Sequence, residues 1–257
     1  MEWIAVFFSL CMLVYVGIVF RSAWHFRYMR TEEHLPDKLP FVSVVIPARN
    51  EERRIATCLH SVLQQQYPAG KFEVILVNDH STDATKAIAT VFATRNPQLR
   101  VIDLEAQGIN AYKKAALSAG IAAAQGEIVL QTDADCEMGT GWLYHMVAHF
   151  DATTALVSGP VRLMSQDHWL EHVQALESMG LVALGAGSMA ARRPNMCNGA
   201  NMAYRKSVFE EVGGFGGPEG VASGDDEFLL QKIRRLGRYE MRFAKSREAI
   251  VYTFTLP

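Results

Sequence analysis

Two aspartates one residue apart lie at the end of an apolar run: Asp133 is the last residue of EIVLQTD (127–133), and Asp135 follows it. Carboxylates at this spacing can both reach one hard cation, and Mg²⁺ and Mn²⁺ favour oxygen ligands together with substrate phosphates. Such a pair alone is weak evidence for a metal site, because aspartate is also common in turns. Its place at the end of a buried hydrophobic run favours a divalent-metal site for a phosphorylated ligand.

Two further polar clusters each follow an apolar run. Pro47-Ala48-Arg49-Asn50-Glu51-Glu52 comes after FVSVVI (41–46), and Asn78-Asp79-His80-Ser81-Thr82-Asp83 ends FEVILVN (72–78). We assign Asp83 mainly to capping the next helix, which leaves Asp79 as the better ligand. The chain has no G-x-x-x-x-G-K-[ST] or G-x-G-x-x-G at a strand-to-helix turn, which excludes the commonest other nucleotide sites.

A third feature is an acidic triplet, Asp225-Asp226-Glu227, after Gly224. A carboxylate can remove the proton of an acceptor hydroxyl, and neighbouring like charges raise the pKa of one of them towards neutrality. The alternative is a helix N-terminus enriched in acids by the helix dipole. Both interpretations place the triplet at the start of a helix.

The elements between these clusters alternate in type. Apolar runs at 41–46, 72–78, 99–104 and 127–133 are separated by helical patterns over Glu51–Gln66, Asp83–Arg95 and Ala111–Ala124. This alternation predicts an α/β fold with a mostly parallel central sheet, whose ligands bind beyond the carboxyl ends of the strands.

The second half is less regular. It predicts a strand over 155–164, a helix from Asp167 to Ala183, an irregular stretch over Gly185–Pro194, a helix over Asp225–Leu236 and a strand over Glu248–Phe254.

The first thirty residues predict a membrane anchor. Trp3–Phe20 carries no charge and is about as long as the roughly 20 residues that span a bilayer. A signal peptide is not favoured, because the residues before the run include Glu2 but no Lys or Arg, and no small-residue cleavage site follows it. The remaining alternative to a membrane anchor is a buried core helix. Arg21, Arg27 and Arg30 follow, so the positive-inside rule predicts a single-pass protein with a cytoplasmic catalytic domain. The expected domains are an anchor at 1–30, a linker at 31–40 and one globular domain at 41–257.

Composition narrows the class of protein. The 257 residues are 49% hydrophobic, which favours a packed domain over disorder. The net charge of −2 argues against a nucleic-acid partner. The four cysteines form no C-x-x-C pair, so neither a disulfide framework nor a zinc site is expected, and a reduced cytoplasm fits.

Six motifs together carry a family resemblance. IPARNEE, EVILVNDHSTDAT, KKAALSAGI, GEIVLQTDADC, NGANMAYRKSVFEEVGGF and SGDDEFLLQKI occur in this order. From Phe41 onwards the chain resembles family 2 glycosyltransferases. The resemblance implies a nucleotide-sugar-binding GT-A fold and inverting transfer of a sugar from a nucleotide-diphospho-sugar, a UDP-sugar first, to a hydroxyl of a lipid or glycan at the membrane.

The resemblance also implies residue roles. The implied nucleotide-sugar-binding residues are Pro47, Ala48, Glu51, Asp79, Lys113, Lys114, Asp133, Ala134 and Asp135. Asp135 is the implied ligand of Mg²⁺ or Mn²⁺. The stretch around the acceptor and the donor sugar is implied to include Gly199, Ala200, Asn201 and Asp225, and Asp226 is the implied general base.

Two departures from the family pattern bear on these expectations. Tyr112 stands where a glycine usually precedes the lysine. The Q-x-x-R-W motif of processive and many lipid-linked members is absent, and the chain stops about where it would follow, so we expect a C-terminally truncated domain. Two alternatives stay open: a nucleotide-sugar-binding module with little turnover, and a nucleotidyltransferase that uses the same carboxylates.

Overall fold

The structure is a computed structural model that describes residues 2–29, 38–105, 113–164, 169–216 and 224–254. Most of the predicted linker, and Tyr112, lie outside these ranges. The helices are α1 (Glu2–Tyr28), α2 (Ile55–Leu63), α3 (Thr85–Arg95), α4 (Lys113–Ala123), α5 (Trp142–Val147), α6 (Trp169–Ala190), α7 (Lys206–Glu211) and α8 (Asp225–Leu236). The strands are β1 (Val42–Ala48), β2 (Phe72–Asn78), β3 (Leu99–Asp103), β4 (Ile128–Gln131), β5 (Glu137–Met138), β6 (Thr154–Ser158), β7 (Val161–Met164), β8 (Met202–Arg205), β9 (Glu240–Phe243) and β10 (Val251–Phe254).

The central sheet has the strand order β3-β2-β1-β4-β8-β6-β9. Strands β3, β2, β1 and β4 are parallel, and only β8 runs antiparallel to both of its neighbours. Every residue of β1 and β2 is buried, because helices cover both faces of the sheet. The prediction of an α/β fold with a mostly parallel sheet is confirmed.

Two hydrophobic layers enclose this sheet. One layer includes Leu59 of α2 and Trp142 of α5, and the other includes Leu117 of α4, Met189 of α6 and Leu229 of α8. Gly120 in α4 permits a close approach, because a Cβ there would lie 2.4 Å from a methyl carbon of Val45. The layers fix the helices that follow β1, β2 and β3, and hence the loops at the carboxyl ends of the strands.

The prediction of a single strand over 155–164 is wrong, because the structure has two strands there. It is split into β6 and β7, and these belong to different sheets, since β7 pairs with β10 in a small sheet with β5. The break falls at Gly159-Pro160, where proline supplies no N–H to a ladder. A Cβ on Gly159 would lie 2.3 Å from the Asn201 side-chain amide, so glycine is needed where the chain changes sheets.

The prediction that the helix ends at Ala183 is also wrong, and the prediction that Gly185–Pro194 is irregular is wrong up to Ala190 and correct from 191 to 194. Helix α6 continues to Ala190, and Gly185, Ala186, Gly187 and Ser188 are buried within it. These small residues let α1 approach closely, because a Cβ on Gly187 would lie 2.2 Å from the carbonyl oxygen of Ser22. A run of small residues here marks a helix–helix contact.

Within the described residues, helix α1 packs against the domain at its C-terminal end. Ser22 is buried, and Phe26 and Met29 pack against the same hydrophobic layer as α6. The Nζ of Lys245 donates to the carbonyl oxygen of Phe26 at 2.7 Å, which satisfies a carbonyl at the helix end. Among the described residues, Trp3–Tyr28 is the helix long and apolar enough to cross a membrane, and its most apolar stretch has no buried residue.

Helix α8 has the bounds that the sequence predicts. Gly224 (φ 86°) and Gly237 (φ 68°) flank it in left-handed conformations that favour glycine. Three acids occupy its first turn, and Arg234 and Arg235 occupy its last, as the helix dipole favours. The acidic triplet therefore does begin a helix.

Candidate active site

The carboxyl ends of β1, β2 and β4 meet at one edge of the sheet, and a cleft of about 330 Å³ lies there. The cleft is lined by Pro47, Ala48, Arg49, Glu51, Asp79, Lys113, Asp133, Ala134 and Asp135. Every nucleotide-sugar residue implied by the sequence except Lys114 is in this set. Arg49 is the one lining residue that the sequence reasoning did not single out, although it lies inside the IPARNEE motif.

The loops after β1 and β2 brace each other beside this cleft. The backbone N–H of Glu51 donates to Thr85 Oγ1 at 2.7 Å, and that of Thr82 donates to Asn50 Oδ1 at 2.8 Å. Asn50 (φ 56°) has a left-handed backbone, which asparagine tolerates better than most residues. The N-cap residue of α3 is Ala84, and Asp83, one residue before it, accepts from the N–H of Thr85 at 2.9 Å, so its side chain satisfies an N–H of the first turn.

Asp79 is buried at the end of β2, with a side chain that is 5% exposed. One carboxylate oxygen lies 2.9 Å from His80 Nδ1 and the other 3.7 Å from Arg49 Nη1. The carboxylate is therefore held in a fixed orientation at the cleft wall. Such a group can accept hydrogen bonds from a planar ligand with N–H donors.

Asp133 and Asp135 have different partners. Asp133 forms an ion pair with Lys113, while Asp135 accepts a hydrogen bond from Thr253 Oγ1 at 3.1 Å. Burial lowers the pKa of Lys113, but the nearby acidic groups, chiefly the Asp133 carboxylate and then Asp226, together outweigh this and raise it overall, so the lysine stays charged. Thr253 of β10 is a contact that sequence reasoning missed, since it lies 118 residues from Asp135 along the chain.

The pKa of Glu51 reflects the negative charge gathered in this cleft. Burial raises its pKa above the ordinary value of 4.5, and the Asp135 and Asp133 carboxylates raise it further. Three carboxyl groups therefore face one another across a small cleft. Excess negative charge of this kind is what a cation relieves.

The donor set suits a divalent cation that shares its ligands with phosphate. No group of three acidic, histidine or cysteine side chains forms a ready-made metal cage within the described ranges. Mg²⁺ is commonly bound by one or two carboxylates together with substrate phosphates, so a complete protein cage is not required. Asp135 is the stronger candidate of the pair for a metal ligand, because Asp133 already pairs with the Lys113 ammonium.

A second group of polar residues centres on Asp226. Asp226 Oδ2 accepts from the backbone N–H of Gly199 at 2.8 Å, and the carbonyl oxygen of Gly199 accepts from Gln131 Nε2 at 3.0 Å. Tyr204, fully buried, donates to Gln131 Oε1 at 3.1 Å. Gln131 ends β4, two residues before Asp133, so one strand positions both the acidic cleft and the turn that holds Asp226.

Gly199 is tightly enclosed in this arrangement. A Cβ there would lie 3.2 Å from Gln131 Nε2 and 3.3 Å from Asp226 Oδ2. Sequence reasoning missed the role of Gln131, because a glutamine inside a buried strand gives no sign of a partner 68 residues away.

Asp225 and Lys114 face each other beside this group, at 3.7 Å between Oδ1 and Nζ. Burial raises the pKa of Asp225, and the Lys114 ammonium partly opposes this while Asp226 adds to it. Lys114 thus lies near the acidic triplet and outside the lining of the cleft.

The Gly199–Asn201 stretch forms a short 3-10 turn. Asn201 is fully buried: its Nδ2 donates to the carbonyls of Pro160 and Ala249, and its Oδ1 accepts from Trp142 Nε1. Ala200 is also buried. The Asn201 side chain therefore holds backbone segments together and does not line the cleft, whereas Gly199 contacts Asp226 directly.

Comparison with known proteins gives a family match over most of the chain. The family model described as "Glycosyl transferase family 2" matches residues 43–213. Glycosyltransferase AglE of Haloferax volcanii is 33% identical over 210 residues, which are 80% of this chain and 65% of that protein. A beta-monoglucosyldiacylglycerol synthase of Nostoc sp. is 33% identical over 135 residues, 52% of this chain and 28% of that protein. The chain covers less than two thirds of the length of these relatives.

Solved structures give the same fold. The mannosyltransferase PcManGT from Pyrobaculum calidifontis, in complex with GDP-Man and Mn²⁺, has a TM-score of 0.73 and 24% identity, over 94% of this chain and 66% of that one. TarS 1–349 of S. aureus, in complex with UDP-GlcNAc, has a TM-score of 0.62 and 20% identity, over 84% of this chain and 59% of that one. The chain belongs to glycosyl transferase family 2 and has the GT-A fold.

Proposed function

We propose that this protein transfers a sugar from a nucleotide-diphospho-sugar, a UDP-sugar first, to a hydroxyl group of a lipid or glycan, with inversion. One observation carries the proposal. The acidic cleft and the Asp226 carboxylate lie at the same edge of the sheet and are both positioned by the end of β4, through Asp133 and through Gln131. A donor diphosphate and an acceptor hydroxyl can therefore occupy neighbouring sites.

The donor half of the site would bind the nucleotide. Asp79, fixed by His80, offers acceptors for the N–H of a base, and Lys113 brings a positive charge to the cleft floor. Asp135 would hold a Mg²⁺ or Mn²⁺ ion that neutralises charge on the departing diphosphate. Binding in complexes of PcManGT with GDP-Man and Mn²⁺ and of TarS with UDP-GlcNAc is consistent with this choice of ligand class.

The transfer step is assigned to Asp226. Its carboxylate takes the proton of the acceptor hydroxyl while that oxygen forms a bond to the anomeric carbon. The bond from the anomeric carbon to the diphosphate oxygen breaks, and its electron pair leaves with the nucleoside diphosphate. Attack from the face opposite the leaving group inverts the configuration. The N–H of Gly199 keeps Asp226 oriented during this step.

We also propose that α1 anchors the domain to a membrane, with residues 1–30 as the anchor and 41–257 as the catalytic domain on the cytoplasmic side. The support is an apolar helix whose most apolar stretch is unburied, with Arg21 and Arg27 following it. Phe26 and Met29 at the end of α1 pack against a hydrophobic layer of the domain, which ties the proposed anchor to it.

The experiment is a donor screen. The full chain in lipid nanodiscs is incubated with a panel of nucleotide-sugars, Mn²⁺ and a membrane lipid extract, and release of nucleoside diphosphate is measured. We expect release with one class of donor, which stops on chelation and in Asp226→Asn. Binding of donors without release would favour a nucleotide-sugar-binding module, and pyrophosphate release from a nucleoside triphosphate would favour a nucleotidyltransferase.

A further inference from the structure

A second cavity, of about 230 Å³, lies between α6 and the central sheet and has mostly apolar walls. Leu181, Val182 and Ala186 of α6 form one wall, and Met196 and Phe243 face them. Cys197 adds a small thiol whose pKa burial raises far above its ordinary value, so it stays uncharged. We call this cavity the α6 cleft.

The α6 cleft ends beside the proposed general base. Its lining includes Asn198 and Glu227, which directly flank Gly199 and Asp226 in the sequence. Asn198 Oδ1 caps the 3-10 turn by accepting from the N–H of Ala200 at 2.9 Å, and the N–H of Glu227 donates to Asp226 Oδ1 at 3.0 Å. A molecule in the cleft thus reaches the residues that hold the Asp226 carboxylate.

The outer face of the same helix is apolar and exposed. Trp169, Val173, Leu176 and Met179 follow one another at helical spacing, with 68%, 50%, 71% and 54% of their surface exposed. A soluble domain rarely exposes a contiguous stripe of this kind, and tryptophan with aliphatic residues on one helix face is typical of a helix at a membrane interface.

Helix α6 also packs against the proposed anchor, α1. The buried C-terminal part of α6 packs against α1 at Gly187 and Ser22, so the helix that forms one wall of the cleft also contacts the helix that crosses the bilayer in the proposed function. Helix α6 therefore contacts both the cleft and the proposed anchor.

We propose that the α6 cleft binds the hydrocarbon chain of a membrane-lipid acceptor and thereby directs its hydroxyl head to Asp226. The inference rests on the proposed function and selects a lipid over a glycan as the acceptor. A glycan would require walls with many hydrogen-bonding groups, because burying hydroxyls without partners is costly. The carbon-rich walls of the cleft suit an alkyl chain, for which each buried CH₂ contributes about 0.8 kcal/mol, or about fourfold in affinity.

The test uses a photoreactive alkyl glucoside that carries a diazirine at the end of a ten-carbon chain. The full chain in phosphatidylcholine nanodiscs is labelled, and cross-linked residues are located by mass spectrometry. We expect labels on Leu181, Val182 or Met196, and competition by unlabelled alkyl glucosides that strengthens about fourfold per added CH₂ until the chain exceeds the cleft.

Ser178→Phe tests the cleft directly, since Ser178 lines it. We expect this variant to lose at least nine tenths of the labelling. Gln174→Phe is the matched control, because Gln174 lies on the same helix, is exposed and does not line the cleft, and its labelling should be unchanged. If Ser178→Phe does not fold, Leu181→Gln places a polar group in the same wall and should give the same loss.

Three outcomes would overturn the inference: labels confined to α1 and the outer stripe of α6, labelling that Ser178→Phe leaves unchanged, or competition by a soluble oligosaccharide but not by alkyl glucosides. Nucleoside-diphosphate release is measured in parallel. Release without cleft labelling contradicts the lipid cleft alone, whereas cleft labelling with no release from any nucleotide-sugar supports the cleft and contradicts the proposed function.

Discussion

The donor half of the site and the half around Asp226 are built in different ways. In the donor half, each polar cluster directly follows a buried parallel strand, so the order of the strands in the sheet brings the clusters to one edge. Around Asp226, the contacts join segments 27 and 68 residues apart, through a tight turn and the N-terminus of α8. The first arrangement follows from local strand ends, while the second depends on packing between distant elements.

The largest effect should come from the half built by distant contacts. Asp226→Asn removes the proposed proton acceptor, so we expect sugar transfer to fall by about 10²–10⁴-fold, with donor affinity changed only a few-fold. Asp225→Asn is the matched control and should do less, because Asp225 pairs with Lys114. Rates of nucleoside-diphosphate release and donor titrations give both quantities. Loss of transfer in Asp225→Asn but not in Asp226→Asn would reverse the assignment of the two aspartates.

Substitutions in the donor half should change the affinity for the nucleotide-sugar donor. Asp135→Ala removes the proposed metal ligand, so we expect metal-dependent donor binding to be lost and transfer to fall by about 10²–10³-fold, as when charge stabilisation is removed from a leaving group. Asp103→Ala is the control, since Asp103 ends β3 at the same edge but bonds to Lys86 and Asn78 and does not line the cleft. Calorimetric titration of donor with and without Mn²⁺ measures the difference. Chelator-resistant binding in Asp135→Ala would refute the metal role of this residue.

The same contrast explains which features could be predicted from sequence. The alternation of apolar runs and helical patterns predicted the parallel strands, and strand ends predicted the residues of the cleft. Contacts such as Gln131 with Gly199 could not be predicted, because nothing local to either residue indicates its partner. The small residues of α6 were misread as irregular because their reason, the approach of α1, lies elsewhere in the chain. Asn201 shows the same limit, since its buried partners are Trp142, Pro160 and Ala249.

Replacing glycine by alanine at two positions of α6 separates the effect of packing against α1 from that of intrinsic helix propensity. Gly187→Ala places a Cβ 2.2 Å from the Ser22 carbonyl oxygen, and relieving this clash should cost about 1–3 kcal/mol of the free energy of unfolding. Gly180→Ala meets nothing within 4 Å and should stabilise the helix by up to about 1 kcal/mol. Thermal unfolding of both variants in the same detergent measures the two shifts. Shifts of the same sign would show that the contact between α1 and α6 does not contribute to stability.

The smallest effect concerns Glu51, a carboxylate of the donor half whose ionised form lowers the stability of the folded state. Its pKa is raised, first by burial and then by Asp135 and Asp133, so the folded state binds this proton more tightly than the unfolded state does. Glu51 is therefore destabilising at pH values above its folded pKa, and the penalty disappears as pH falls below the ordinary value of 4.5. Without metal, Glu51→Gln should raise the Tm slightly at pH 7 and leave it unchanged at about pH 4. Glu105→Gln, at an exposed position after β3, is the control and should leave the Tm unchanged at both pH values. Mn²⁺ with donor should shrink the gain at pH 7, because the bound charge offsets the repulsion among the three carboxylates. A gain that is independent of both pH and metal would mean that Glu51 lowers stability through packing and that repulsion from Asp133 and Asp135 does not act on it.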